Sequence, residues 1–163
     1  VLENSRQAEV PLKDDIEALD LYLNLEHARS RDASGAEKFD YSINVDPSID
    51  QEDTLVPPLV VQPFVENAIW HGMAGKAEKG RITLSVTRVG DDLVMAIEDD
   101  GAGRHAKKME PVPGAAVKKT SLATTITKAR LDLVSKQRGR PAGCRYIDLP
   151  QGTRVEVLLP LST

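Results

Sequence analysis

Cysteine is nearly absent from this chain of 163 residues, where Cys144 stands alone. A lone cysteine excludes an internal disulfide and fits a reducing compartment, and in an apparent strand its expected role is packing. Basic blocks are missing as well. The 21 Lys and Arg residues are outnumbered by 25 Asp and Glu, for a net charge of −4, and no basic run exceeds a pair. That balance gives no electrostatic footprint for nucleic acid, so DNA and RNA are not expected partners. No apolar run reaches the roughly 18–20 residues needed to span a bilayer, and no charged-then-apolar leader is visible. The chain opens at Val1 rather than Met. The expectation is a piece of a longer protein, a cytoplasmic domain whose membrane anchor lies outside it. Internal repeats and low-complexity tracts are also lacking.

What is present is a hydrophobic content of 40%, enough for one well-buried domain at this length. The most informative stretch runs from Pro57-Pro58-Leu59 through Gln62-Pro63-Phe64-Val65-Glu66-Asn67-Ala68-Ile69-Trp70-His71-Gly72. Val61, Phe64, Val65, Ala68 and Ile69 recur at helical spacing, while Asn67 and His71, four apart, share a different face. An amide in an otherwise apolar helix needs partners, and its oxygen is a suitable hard ligand for Mg²⁺. Taken alone, Asn67 is either a core amide bonded to backbone or part of a metal-nucleotide site.

A second segment, Ile97-Glu98-Asp99-Asp100-Gly101-Ala102-Gly103, follows one hairpin later. Its glycines let the backbone approach a ligand, and a buried Asp99 carboxylate can accept a hydrogen bond from an exocyclic amine such as that of adenine. By itself the segment reads equally as an acidic turn.

Together these segments resemble the N box and the D-x-G-x-G box of the ATP-binding catalytic domain of sensor histidine kinases, in particular the LytS-like class. Gly152-Thr153-Arg154-Val155-Glu156-Val157 resembles the family's closing strand, and Tyr22-Leu23-Asn24-Leu25-Glu26 with Arg29 resembles its opening helix. The resemblance covers nearly the whole chain. It implies ATP and Mg²⁺ as cofactors, with Asn67 holding the metal, Asp99 anchoring adenine, Gly101 and Gly103 giving it room, and His71 lying near the nucleotide. It also implies that Thr153 bridges Asp99 and adenine through water, that Lys118 and Lys119 face the phosphates from a lid, and that Ala123 lies beside the phosphates. Ser121 and Ala123 stand where relatives carry glycines, and Trp70 stands where they carry Lys. The implied partners are an upstream phosphoacceptor and dimerisation domain, a response regulator, and a second copy in the full-length protein.

In chain order, Pro11 opens a helix with an apolar stripe at Leu12, Ile16, Leu19 and Leu23, ending near Arg29 and Arg31. His27 lacks the pattern of a phosphoacceptor box and reads as structural. Phe39, Tyr41, Ile43 and Val45 alternate as a strand, and residues 46–53 read as a surface link. Ile82, Leu84 and Val86 pair with Leu93, Met95 and Ile97 as a hairpin around Gly90-Asp91-Asp92. Lys76 and Lys79 stand in the loop before it, near the expected nucleotide. Residues 104–120 show no period and read as a lid. A helix is predicted from Ser121 to about Gln137, with Leu122, Ile126, Ala129 and Leu133 inward, and two strands close the chain.

This order implies a two-layer α/β sandwich, a mixed sheet with helices on one face. In the family it resembles, that is the Bergerat-type ATP-binding fold. The expected division is a linker helix in residues 1–31 packed on an ATP-binding unit in residues 32–163. Three functions compete: kinase-type ATP binding with γ-phosphate transfer to a histidine elsewhere, a gyrase- or Hsp90-type ATPase, and a degenerate nucleotide-binding or interaction module. The ATPase requires a Glu one turn before Asn67, where Pro63 stands.

Overall fold

The computed structural model describes residues 9–31, 34–73, 76, 78–103 and 116–161, and no side chain of 116–122 is among them. Helix α1, Leu12–Arg29, starts directly after Pro11, whose fixed φ suits a helix entrance. Its first backbone N–H groups are satisfied from outside: Leu12 N–H donates to the Thr54 carbonyl at 2.7 Å and Lys13 N–H to that of Gln51 at 3.0 Å. The Gln51 carbonyl belongs to the 46–53 link expected to be mere surface, and Thr54 follows directly after it. That link also buries Ile49 and ends in β3, Leu55–Val56, which pairs antiparallel with β1, Val10–Pro11. This two-stranded sheet is too short to leave a periodic signal.

The main sheet has the order β2-β4-β5-β7-β6. Strand β2, Phe39–Val45, runs parallel to β4, Gly80–Val89. Strands β5, Asp92–Asp99, β7, Thr153–Pro160, and β6, Gly143–Asp148, continue antiparallel. The hairpin turns on Gly90, whose φ of 61° is cheap only without a Cβ. Alternation then sorts the faces. Ile82, Leu84, Val86, Leu93, Met95, Ile97, Val155 and Val157 point into one core with Leu19, Leu23, Phe64, Val65 and Leu131 from the helices. The opposite face carries an ion ladder in which Arg154 bonds Glu98 at 2.9 Å and Glu156 at 3.0 Å, and Arg145 bonds Glu156 at 2.7 Å. The chain is therefore the expected two-layer sandwich with a mixed sheet and its helices on one face. No helix among the described residues is long and apolar enough to cross a membrane.

Two expectations for the last helix need correction. Helix α3 spans Ala116–Arg138, starting five residues before Ser121. Past Pro113 and Gly114, the Ala-Val-Lys-Lys run has no helix breaker, so the helix takes it up and Ser121 is interior. The inward stripe is also displaced by one residue. Thr127, Leu131 and Val134 are buried, whereas Ile126 is 52% and Leu133 36% exposed. The true stripe includes Thr127 and the stem of Arg130, and polar residues at core-facing positions hid its phase. We expect Leu131→Ala to cost about 2–5 kcal/mol in urea denaturation and Ile126→Ala within about 0.5 kcal/mol. The reverse order would restore the predicted stripe.

Candidate functional site

Strand β5 ends at Asp99, which sits in register between Ile82 of β4 and Thr153 of β7. Its carboxylate accepts the Gly101 N–H at 3.0 Å and a backbone N–H of Thr153. Burial pushes the Asp99 carboxyl above its ordinary value and the neighbouring Asp100 adds to that, while the two N–H donors pull it back. Asp100 turns the other way and accepts the Arg81 N–H at 2.8 Å.

Three glycines then lock this turn to the helix that carries Asn67. Helix α2, Gln62–Asn67, has Pro63 in its first turn and continues as a π turn over Ala68–Gly72. A Cβ on Gly72 would lie 2.8 Å from the Asp99 carboxyl carbon, and one on Gly101 would lie 1.9 Å from the Gly72 carbonyl oxygen. From the third side, a Cβ on Gly152, where φ is +96°, would lie 1.8 Å from the Asp99 carbonyl oxygen. The end of the Asn67 helix thus packs backbone to backbone on the Asp99 turn. At Gly101, expected to make room for a ligand, the space a side chain would take is filled by the Gly72 backbone. Gly103, with φ of +85°, has the Gly152 carbonyl oxygen 3.9 Å from its Cβ position, an ordinary contact, as the nearest atom among the described residues.

One turn before Gly72, the side-chain oxygen of Asn67 is buried and, among the described residues, accepts no hydrogen bond. An unpaired buried acceptor costs roughly 1–3 kcal/mol and is unusual in a settled core. It is a hard oxygen, the donor type that Mg²⁺ takes, so the residues present fit that ion. Beside it, His71 and Trp70 are exposed, Trp70 by 56%. Glu66 accepts from Gln62 Nε2 at 3.2 Å.

No family model matches the chain. The sensor protein LytS of Oceanobacillus iheyensis is 32% identical over 113 residues, 69% of this chain and 18% of the relative. LytS of Staphylococcus saprophyticus is 27% identical over 162 residues, 98% of this chain and 26% of the relative. The chain therefore spans less than a third of the length of either. Among solved structures, the catalytic domain of histidine kinase ThkA superposes with a TM-score of 0.58 at 16% identity, covering 94% of this chain and 95% of that one. The chain belongs to the LytS-like histidine kinase catalytic domains.

Other residues singled out in this LytS-like domain fall less neatly. Ala123 is half-buried well inside α3, so its N–H is not among the free ones at the helix start, which belong to residues 116–119. The side chains of Lys118 and Lys119, and residues 104–115 of the expected lid, lie outside the described residues. Lys79 is not free for a nucleotide: its ammonium pairs with Glu37 at 3.1 Å and Asp40 at 3.0 Å. His27 joins that cluster, with Nε2 at 3.3 Å from Glu37 and its ring edge-on to Phe39 and Tyr41. His27, Glu37 and Asp40 lie close enough to share a metal ion, but the Lys79 ammonium already sits against both carboxylates. Gly72 and Asp15 escaped the sequence reading. Gly72 reads as a helix stop, and Asp15 occupies a core-facing position between Leu12 and Leu19, a signal that was available.

We expect Gly101→Ala to destabilise the domain by about 1–3 kcal/mol or more in urea denaturation, because its methyl must displace the Gly72 carbonyl. Asp99→Asn should do the opposite at neutral pH. With the folded carboxyl raised above the ordinary 3.8, its contribution to stability is full below that pH and is lost as pH rises through the folded value. The amide removes this loss, so the variant should exceed wild type in stability at pH 7 and converge with it towards pH 3. A constant difference across that range would contradict the cause assigned.

Proposed function

We propose that this domain binds Mg-ATP where α2 meets the end of β5 and, in its full-length protein, delivers the γ-phosphate to a histidine outside this chain. The observation that carries the reading is the buried, unpartnered Asn67 oxygen one turn from the Gly72–Gly101 joint. In this reading Asp99 accepts the hydrogen bond of the adenine amine, with Thr153 beside it, and Gly103, without a side chain, lets the base approach. His71 and Trp70 border the nucleotide, and Lys118 and Lys119 approach the phosphates. Ala123 then serves as a wall of the site. Bound with the nucleotide, Mg²⁺ would neutralise phosphate charge, with Asn67 as its protein ligand. The protein's own part is positioning: two preformed polar groups on rigid elements fix the base and the phosphate end in one orientation.

The hydrolase reading lacks a base in the right place. Pro63 occupies the turn before Asn67, and Glu66 is held by Gln62. The proposed division is a linking helix in residues 1–31 and an ATP-binding unit in 32–163. The proposed partners are an upstream phosphoacceptor and dimerisation domain, a response regulator and, through that upstream domain, a second copy. The proposed setting is the cytoplasmic side of a membrane-anchored sensor.

Calorimetric titration with Mg²⁺ and a non-hydrolysable ATP analogue tests this. We expect binding by the wild type, loss of its metal-dependent part in Asn67→Ala, and loss of preference for adenine over guanine nucleotides in Asp99→Asn. Fluorescence of Trp70, the one tryptophan, should change on binding. A folded wild type that takes up no nucleotide would make the degenerate module the better account, and rapid ATP hydrolysis by the isolated chain would favour the ATPase.

A further inference from the structure

The segment leading into α2 contains the only non-glycine residue with positive φ among those described, Leu59 at 59°. A leucine has no intrinsic reason to adopt that conformation, since its Cβ crowds the following carbonyl, and its side chain, 43% exposed, gains little burial there. Something must hold the turn. From one side, Asp15 of α1, itself 3% exposed, accepts the Leu59 N–H at 2.8 Å. From the other, Arg130 of α3 donates to the Pro58 carbonyl at 2.7 Å. The two side chains carry opposite charges and attract one another. Directly after the turn, the Val61 carbonyl accepts the N–H groups of Phe64 and Val65, so the turn's geometry passes straight into the first turn of α2.

We propose that Asp15 and Arg130 are positioning residues for the Asn67 site. Acting from α1 and α3, they clamp the left-handed Pro58–Leu59 turn and thereby set the position at which α2 presents Asn67. The inference rests on the nucleotide-binding reading above. It makes the seating of α1 a determinant of nucleotide affinity, although α1 supplies no group to the proposed site. The clamp also explains a buried carboxylate that the core would otherwise exclude.

The test is a cycle on the intact 163-residue chain, measuring affinity for Mg²⁺ with the ATP analogue by calorimetry and the fold by far-UV circular dichroism. Asp15→Ala should remain folded at the assay temperature and bind about tenfold more weakly. Asp15→Asn, which keeps an acceptor oxygen for the Leu59 N–H, should bind within about twofold of wild type. The deciding variant is Asp15→Ala with Leu59→Gly: glycine adopts positive φ without an anchor, so most of the lost affinity should return. If Asp15→Ala does not fold, Arg130→Ala alone and with Leu59→Gly takes its place with the same expectations. Unaltered affinity in the folded single variant, or a loss that Leu59→Gly does not recover, overturns the inference alone. Absence of nucleotide binding by the wild type overturns the functional reading and this inference with it.

Discussion

The rest of this domain depends on the contact between two glycine backbones. Gly101 lies so close to the Gly72 carbonyl that no other residue fits, and Gly72 in turn leaves only enough room for the Asp99 carboxyl. Because backbone cannot change rotamer, the joint has no soft degree of freedom, and the end of one helix and the end of one strand move as a single body. Sheet pairing fixes Asp99 from the strand side, between Ile82 and Thr153. The apolar face of α2, through Phe64, Val65, Ala68 and Ile69, fixes the helix side against the core. Asn67 is left on the remaining polar face, where its position is set by packing it does not itself share.

Around that joint the structure carries several local costs. The Asn67 oxygen is unpaired, the Asp99 carboxyl is pushed up by burial, Leu59 is left-handed, and the helix widens into a π turn. Each is unfavourable taken singly, and each lies in or next to the same short stretch or its contact with β5. Such clustering is the pattern expected where function rather than stability selected the geometry. The stabilising half sits elsewhere, in the continuous core between the sheet and the three helices. The charged groups on the open face of the sheet and at the β2 edge have simpler tasks. The ladder from Glu98 through Arg154 and Glu156 to Arg145 covers the open face of the sheet, and the His27, Glu37, Asp40 and Lys79 cluster ties α1 to the β2 edge. Exposed pairs of this kind add little stability individually.

The linkage between α1, the Pro58–Leu59 turn and α3 gives the fold a further property. Helix α1 is held at its start by carbonyls of the 51–54 link and, through Asp15, by the turn that follows that link. A displacement of α1 therefore cannot be absorbed without disturbing either the turn or α2.

Sequence alone determined the order of the longer elements, the alternation of β2, β4, β5 and β7, the identity of both boxes and the choice of Asn67 and Asp99 as the residues to watch. These are local properties, readable because a two-residue or 3.6-residue period and a turn glycine act over a few positions. It did not determine the phase of α3, because two apolar stripes overlap there and Thr127 and Arg130 face inward among them. Nor did it show that Gly101 is spent on Gly72, that Leu59 is left-handed, or that Asp15 is buried to hold it. Each of those joins segments at least 29 residues apart, as from Gly72 to Gly101, and only the folded chain brings such partners within hydrogen-bond or contact distance.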